Sequence, residues 1–412
     1  MQSVNKGRVQ YFPLKALLGF LIFTEILLFL GPIDYSLQSP ILLIIYLIIL
    51  NVAFYWGYRR GVSHYRPSQY HFRLSTVHFL IIVGFILNVF RLFELWSRRG
   101  LPVSLSTIVL AIINPGEVYY AESMDAVTSS LITTLLSPIA WAVLPIGLYK
   151  WKNLNFLYRL VIILTIIVQI VTWLGIGTRK GLLDLILIIS FVSYSNYYRE
   201  FGSARIRKRT IIGILIAVVA FVFYFIISNL SRYGLSASEI NQFEIGHKIR
   251  PFYKDAPYWL LVTLNNIEGY LCQGYYALSI ALSEGIIVPT FLGISWFTMV
   301  IASKFGYNPM PNTYLSLLEN YGIDSHVNWH TIYVWLANDF TFIGVPIIIY
   351  LIGLMFARTW CDSVKGDNDT AIPLFTLFLV MVFYFFANNQ VLSFSFMPFV
   401  VWWLLYRLSR IK

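Results

Sequence analysis

Cysteine is almost missing from this chain: 412 residues include two, Cys272 and Cys361. That excludes a disulfide framework and any metal cluster built on thiolates. Charge is scarce as well. Only 12% of residues are Asp, Glu, Lys or Arg, against 58% hydrophobic ones, and the mean hydropathy is +0.70. A chain this poor in charge cannot cover a water-facing surface, so a soluble globule is excluded.

What fills the space is a series of long apolar runs: Leu14–Leu30, Ile41–Trp56, Leu74–Phe90, Val161–Leu174, Ile211–Ile227 and Leu374–Phe386. A membrane span needs roughly 20 mainly apolar residues, and a transmembrane strand would alternate polar with apolar, which these runs do not. The expected fold is therefore an all-α polytopic membrane protein of about 10–12 transmembrane helices, a single integral membrane domain over residues 1–412. The first run lacks a small-residue cleavage site and reads as a helix, not a signal peptide.

The net charge of +11 would fit nucleic acid, but its distribution fits topology better. Basic residues cluster at Lys6/Arg8/Lys15, Arg59/Arg60/Arg66/Arg73, Lys150/Lys152/Arg159, Arg199/Arg205/Arg207/Lys208/Arg209, Arg358/Lys365 and Arg407/Arg410/Lys412, which is 20 of the 30 Lys and Arg. These clusters alternate with basic-poor loops, as the positive-inside rule requires, so both termini are expected in the cytoplasm and no nucleic-acid partner is expected. Helices are predicted near 14–30, 40–58, 74–95, 129–149, 158–176, 181–198, 210–228, 332–357, 371–387 and 391–408. Asn114-Pro115-Gly116-Glu117 marks an outer turn, and 229–330 forms a large outer loop region. Within it Tyr258–Leu282 carries Asn265, Asn266, Glu268 and Gln273 and suggests an amphipathic in-plane helix. Ile286–Ala302 is more apolar and contains Pro289. Charge parity lets both of these cross or neither, and the lack of Lys or Arg in Ser283–Pro289 favours neither.

Two stretches stand out as candidate chemistry. Trp329-His330-Thr331-Ile332-Tyr333 through Asn338-Asp339 puts a histidine, aromatics and an amide–carboxylate pair at the mouth of an apolar helix, where the polar half is expected at the water boundary. A plainer reading is a histidine that anchors the helix at the interface. Gly177-Thr178-Arg179-Lys180-Gly181 sets two cations on an outer turn that opens a helix, where free N–H groups and the dipole favour an anion. Arg179 can bond two phosphate oxygens and Lys180 adds a point charge. The alternative pairs Lys180 with Asp184 one turn on and leaves Arg179 to lipid headgroups. Arg232, Lys248, Arg250 and Lys254, interleaved with Tyr233, Phe243, Phe252 and Tyr253, suit sugar rings and phosphates, although Glu239, Glu244 and Asp255 would equally neutralise them. No outer Asp-x-Asp pair, Gly-rich phosphate loop or Cys/His ligand set is present, so no metal and no cofactor are expected. Few charges sit within the spans, chiefly Glu25 and Asp184, which is poor wiring for an ion-coupled pump.

The Gly177–Gly181 turn resembles the Ser-Arg-Gly-type turn of the O-antigen ligase and polymerase superfamily. His330-Thr331-Ile332-Tyr333 with Gly344 resembles that superfamily's His-Asn-x-Tyr…Gly stretch, with Thr331 in place of the usual Asn. Asn338-Asp339-Phe340 and Tyr270-Leu271-Cys272-Gln273-Gly274-Tyr275 are similar to the repeat-unit polymerase (Wzy-type) branch. The resemblance implies a GT-C-like fold in the bacterial inner membrane. It implies polymerisation of undecaprenyl-diphosphate-linked oligosaccharides, which serve as donor and acceptor, and a chain-length-regulating co-polymerase as partner. It assigns Arg179 to the donor diphosphate and His330 to the acceptor hydroxyl. Arg232 and Arg250 match only by position, with Lys180, Lys248, Trp329, Tyr333 and Asp339 as substrate contacts. A ligase attaching finished chains to a lipid core would use the same chemistry. A lipid-oligosaccharide flippase is the alternative of another kind.

Overall fold

The computed structural model describes residues 9–98, 104–113, 131–175, 179–202, 208–233, 248–285, 287–325, 328–365 and 368–411. Helix makes up 78% of the structure, which is all-α. Seven helices among the described residues are long and apolar enough to cross a membrane: α1 (Phe12–Leu30), α2 (Pro40–Ser63), α3 (Leu74–Arg98), α5 (Leu131–Tyr149), α6 (Phe156–Gly175), α7 (Lys180–Phe201) and α12 (Ile332–Lys365). Shorter apolar stretches lie in α8 (Lys208–Tyr233), α13 (Ala371–Phe383) and α15 (Phe396–Ser409). The remaining helices are α4 (Leu105–Ile113), α9 (Tyr258–Ser283), α10 (Trp296–Lys304), α11 (Tyr314–Glu319) and α14 (Gln390–Phe394). One two-residue ladder joins β1 (Ile33–Asp34) to β2 (Lys248–Ile249). The expected turn at Asn114–Glu117, as well as Gly177, Thr178, Glu239, Phe243 and Glu244, falls outside the described residues.

Backbone in an apolar medium must satisfy itself, and the prolines show how. Pro13 and Pro40 stand in the first turn of α1 and α2, where a missing N–H costs nothing. Pro138 and Pro346 lie inside helices, and each frees the carbonyl four residues back. Ser137 Oγ donates to the freed Thr134 carbonyl at 2.6 Å, and Tyr46 Oη donates to the freed Phe342 carbonyl at 2.9 Å. The same region of α12 is broken at Thr341, whose φ of 55° is outside helical space.

α2 and α12 form the most extensive helix pair, and glycine is the reason. A Cβ on Gly57 would stand 2.0 Å from the Tyr350 carbonyl oxygen, on Gly61 2.5 Å from that of Leu354, and on Gly353 2.6 Å from that of Phe54. Backbone therefore meets backbone along a Gly57-x-x-x-Gly61 stripe, the small-residue packing that membrane helices use where burial gives no hydrophobic drive.

One end of the bundle collects the basic clusters. Buried Asp362 accepts from Tyr65 at 2.5 Å, Tyr406 at 2.6 Å and Arg410 at 2.7 Å, while Asp369 pairs with Lys150 at 2.6 Å. Trp360 donates to the Val9 carbonyl, so the first and last described helices start and finish at this end. The opposite end carries the α1–α2 loop and α9. Glu268 accepts from Ile33 N–H at 2.9 Å, and Ser283, fifteen residues on, donates to Gln38 at 2.7 Å. Both contacts fall on one loop, so α9 lies across that end of the bundle. Of the four polar residues that suggested an amphipathic helix, Glu268 and Asn265 are buried, while Asn266 and Gln273 are half-buried. Residues 287–302 of the second stretch fold into a turn with positive φ at Phe291 and Leu292, then enter the nine-residue α10, too short to span.

Candidate functional site

His330 sits where three elements meet at the loop end: the middle of α9, the start of α12 and the break after α13. It is fully buried, not at a water boundary as its sequence context suggests. The close approach depends on Gly274, whose added Cβ would stand 2.2 Å from the Phe386 carbonyl and 3.1 Å from Thr331 N. The run expected as one helix over 371–387 ends at Phe383, and Asn388 takes a left-handed φ of 58°. Asn388 thereby reaches His330. Its side-chain oxygen accepts His330 N–H at 2.9 Å, and its own N–H donates to the His330 carbonyl.

The imidazole's tautomer follows from its partner. Nδ1 lies 3.2 Å from the Asn328 carbonyl, which can only accept, so Nδ1 carries the proton. Nε2 is left with its lone pair and has no hydrogen-bond partner among the described residues. Burial pushes the ring's pKa down to about 4, so it stays neutral near pH 7. A neutral imidazole with a free lone pair is a general base in its working form.

A line of rings runs from Trp329, the residue before His330, to Arg179. Trp329 stands edge-on to Tyr270 with centroids 5.1 Å apart, and Tyr270 edge-on to Phe225 at 5.1 Å. The Arg179 guanidinium covers the Phe225 ring at 4.9 Å, a cation–π contact. Gln273 fixes the Trp329 end by accepting its N–H at 3.0 Å. Arg179 is 4% exposed and occupies the N-cap of α7. Lys180 next to it is paired with Asp184 at 2.6 Å, the plainer of its two readings, and its carbonyl accepts from Tyr384 at 3.4 Å. Gly181 lets the Trp173 ring lie against the α7 backbone, where an added Cβ would be 2.0 Å away, and Arg91 covers that same ring at 5.7 Å.

The other expected cations lie elsewhere. Arg250 donates to the Ile33 carbonyl at 3.0 Å and the Leu28 carbonyl at 3.1 Å, closing the C-terminal end of α1. Lys248 is exposed, in register with Asp34. Both belong to the segment that pairs with residues 32–34, where Ile33 N–H donates to Glu268, two residues from Tyr270 and so on roughly the opposite face of α9. Arg232 lies in the last turn of α8, with its side chain outside the described residues. Tyr333 points into the core and packs edge-on to Phe385 at 5.7 Å. Asp339 is taken up by Thr290 at 3.0 Å, Leu292 N–H at 3.1 Å and Gly293 N–H at 2.8 Å, so it anchors the 290–293 turn.

Asn388, Phe225 and Arg91 are the additions to the site that the sequence reading lacks. Asn388-Asn389 had a signal, two amides interrupting an apolar run. Arg91 also had one, as a cation near the end of a span beside aromatics. Phe225 had none, being one phenylalanine among many. Comparison of the chain with protein-family models, with curated proteins and with solved structures finds no match, so the functional reading rests on this geometry and on the sequence.

Proposed function

We propose that this protein is a GT-C-like glycosyltransferase of the inner membrane that polymerises undecaprenyl-diphosphate-linked oligosaccharide repeat units. The loop end then faces outward and the basic end faces the cytoplasm. The observation that supports the reading is the ring line from the Arg179 guanidinium through Phe225 and Tyr270 to Trp329, the residue before His330.

The reaction breaks the bond between the donor's anomeric carbon and the diphosphate oxygen, and joins that carbon to an acceptor hydroxyl oxygen. The hydroxyl proton passes to Nε2 of His330. Negative charge grows on the leaving undecaprenyl diphosphate, where Arg179 at the α7 N-terminus stabilises it. His330 is enclosed in this conformation, so the acceptor reaches Nε2 only when the 328–331 segment shifts.

The test is the surface-polysaccharide ladder of a strain lacking the gene. Single repeats on the lipid core support polymerisation. Bare core with accumulating lipid-linked polymer would make the protein a ligase, and loss of all surface repeats would make it a flippase.

A further inference from the structure

At the basic end, opposite the His330–Arg179 site, the structure holds a cavity of about 1420 Å³ between the start of α1, the α5–α6 connection and the C-terminal halves of α7 and α12. We infer that this cavity is a binding site for the phosphate headgroup of an anionic phospholipid.

The lining states the ligand's chemistry. Among the described residues of the lining, Lys152, Arg199 and Lys365 contribute three positive charges against the carboxylate of Glu200. Lys152 is paired with that carboxylate, so Arg199 and Lys365 supply the excess charge. Arg199 is held over the Tyr149 ring at 4.3 Å and Lys365 over the Tyr65 ring at 3.9 Å. These contacts are made by the charged heads themselves, whose outward N–H groups still donate to an anion. Asn196 adds a side chain whose nitrogen is committed to the Leu148 carbonyl at 2.7 Å. Trp151, Tyr197 and Phe201 give the cavity the aromatic character of a membrane interface, where a ring suits both acyl chain and headgroup. A soluble anion would use the cations alone, whereas a phospholipid uses cations and rings together. Basic pockets between helix ends at this depth hold lipid headgroups in the same way.

The inference does not depend on the reaction at the other end. Its test uses the full chain in nanodiscs of phosphatidylcholine with a minor fraction of phosphatidylglycerol, followed by counting the phospholipid retained after detergent exchange by native mass spectrometry. Wild type should retain phosphatidylglycerol in preference to phosphatidylcholine. Arg199→Gln and Lys365→Gln should each weaken retention roughly fivefold and the double variant roughly thirtyfold. Arg199→Lys keeps the charge but not the stacked plane and should retain more lipid than Arg199→Gln, which separates lost charge from misfolding. Equal retention by wild type and the double variant would overturn the site. Full displacement of the lipid by inorganic phosphate would overturn the phospholipid assignment.

Discussion

His330 and Asn388 hold each other through two hydrogen bonds, His330 N–H to the Asn388 side-chain oxygen at 2.9 Å and Asn388 N–H to the His330 carbonyl. The contact exists because α13 stops short and Asn388 tolerates φ 58°. Asn388→Ala should leave the buried His330 N–H without its acceptor and destabilise the protein by about 1–3 kcal/mol. Asn388→Gly accepts the left-handed backbone but loses the same bond, so it should lie between Ala and wild type. Thermal denaturation in detergent orders the three. If Asn388→Gly matches wild type, the side-chain bond contributes nothing.

The His330 imidazole gives a pH signature. Its pKa is near 6.5 when unfolded and about 4 when folded, because burial disfavours the charged ring. Between those values the unfolded chain binds the extra proton, so stability is complete above about pH 6.5 and falls as pH drops toward 4, by roughly 3 kcal/mol in all. His330→Gln has no such proton to take up. The difference in melting temperature between wild type and His330→Gln should therefore shrink between pH 7 and pH 4.5. A difference independent of pH would mean that the ring is already hydrated in the fold.

The apolar runs and their basic flanks were enough to read the all-α membrane class and the long helices, because hydropathy and charge bias act on each segment alone, but not the breaks at 384–389 and Ser395. His330 was legible as a helix-mouth histidine, and Arg179 as a cation opening α7. What could not be read was burial and partnership. Nothing in the local sequence says that Glu268 turns inward to meet the α1–α2 loop. Nor does it say that Arg250 spends its guanidinium on the carbonyls of Ile33 and Leu28, 217 and 222 residues away. The Gly57-x-x-x-Gly61 stripe was present in the sequence, but its partner Gly353 is fixed only by the long-range pairing of α2 with α12.

That pairing is testable without reference to activity. Gly57→Ala adds a methyl group where the Tyr350 backbone already stands, and backbone cannot rotate away as a side chain can. Gly57→Ala and Gly353→Ala should each cost about 1–3 kcal/mol and lower membrane abundance. Gly19→Ala, where no atom lies within 4 Å of the added Cβ, is the control and should be silent. Equal abundance across all three variants would show that α2 and α12 separate without penalty.

Lys180 and Asp184 are a mostly buried pair 2.6 Å apart, which separates two roles for Lys180. Lys180→Ala leaves a buried carboxylate uncompensated and should cost about 3–5 kcal/mol. Removing both charges in Lys180→Ala/Asp184→Ala should restore much of the lost abundance, a coupling that the double-mutant cycle reads directly. If Lys180 only serves the fold, the double variant also restores polymer. Restored abundance with absent polymer would place Lys180 on the substrate.

Arg179 and Arg250 were alike in sequence, two arginines assigned to one anion, and the structure gives them different neighbours. Arg250 is bound to the Leu28 carbonyl of α1 and the Ile33 carbonyl of β1, and charge-assisted bonds of this kind are worth about 1.5–3 kcal/mol. Arg250→Ala should therefore lower the melting temperature and abundance, with polymer falling only as protein does. Arg179 rests on an aromatic ring at a helix N-terminus, where its plane is held and the dipole favours an anion. Losing a contact that strengthens as the diphosphate leaves should cost about 3 kcal/mol, roughly a hundredfold in rate. An ammonium does not reproduce a planar fork, so Arg179→Lys should fail nearly as badly as Arg179→Ala. Both should leave single unpolymerised repeats at unchanged protein level. A normal ladder from Arg179→Ala at matched abundance would take this residue out of the mechanism and leave the anion to be held elsewhere at the loop end.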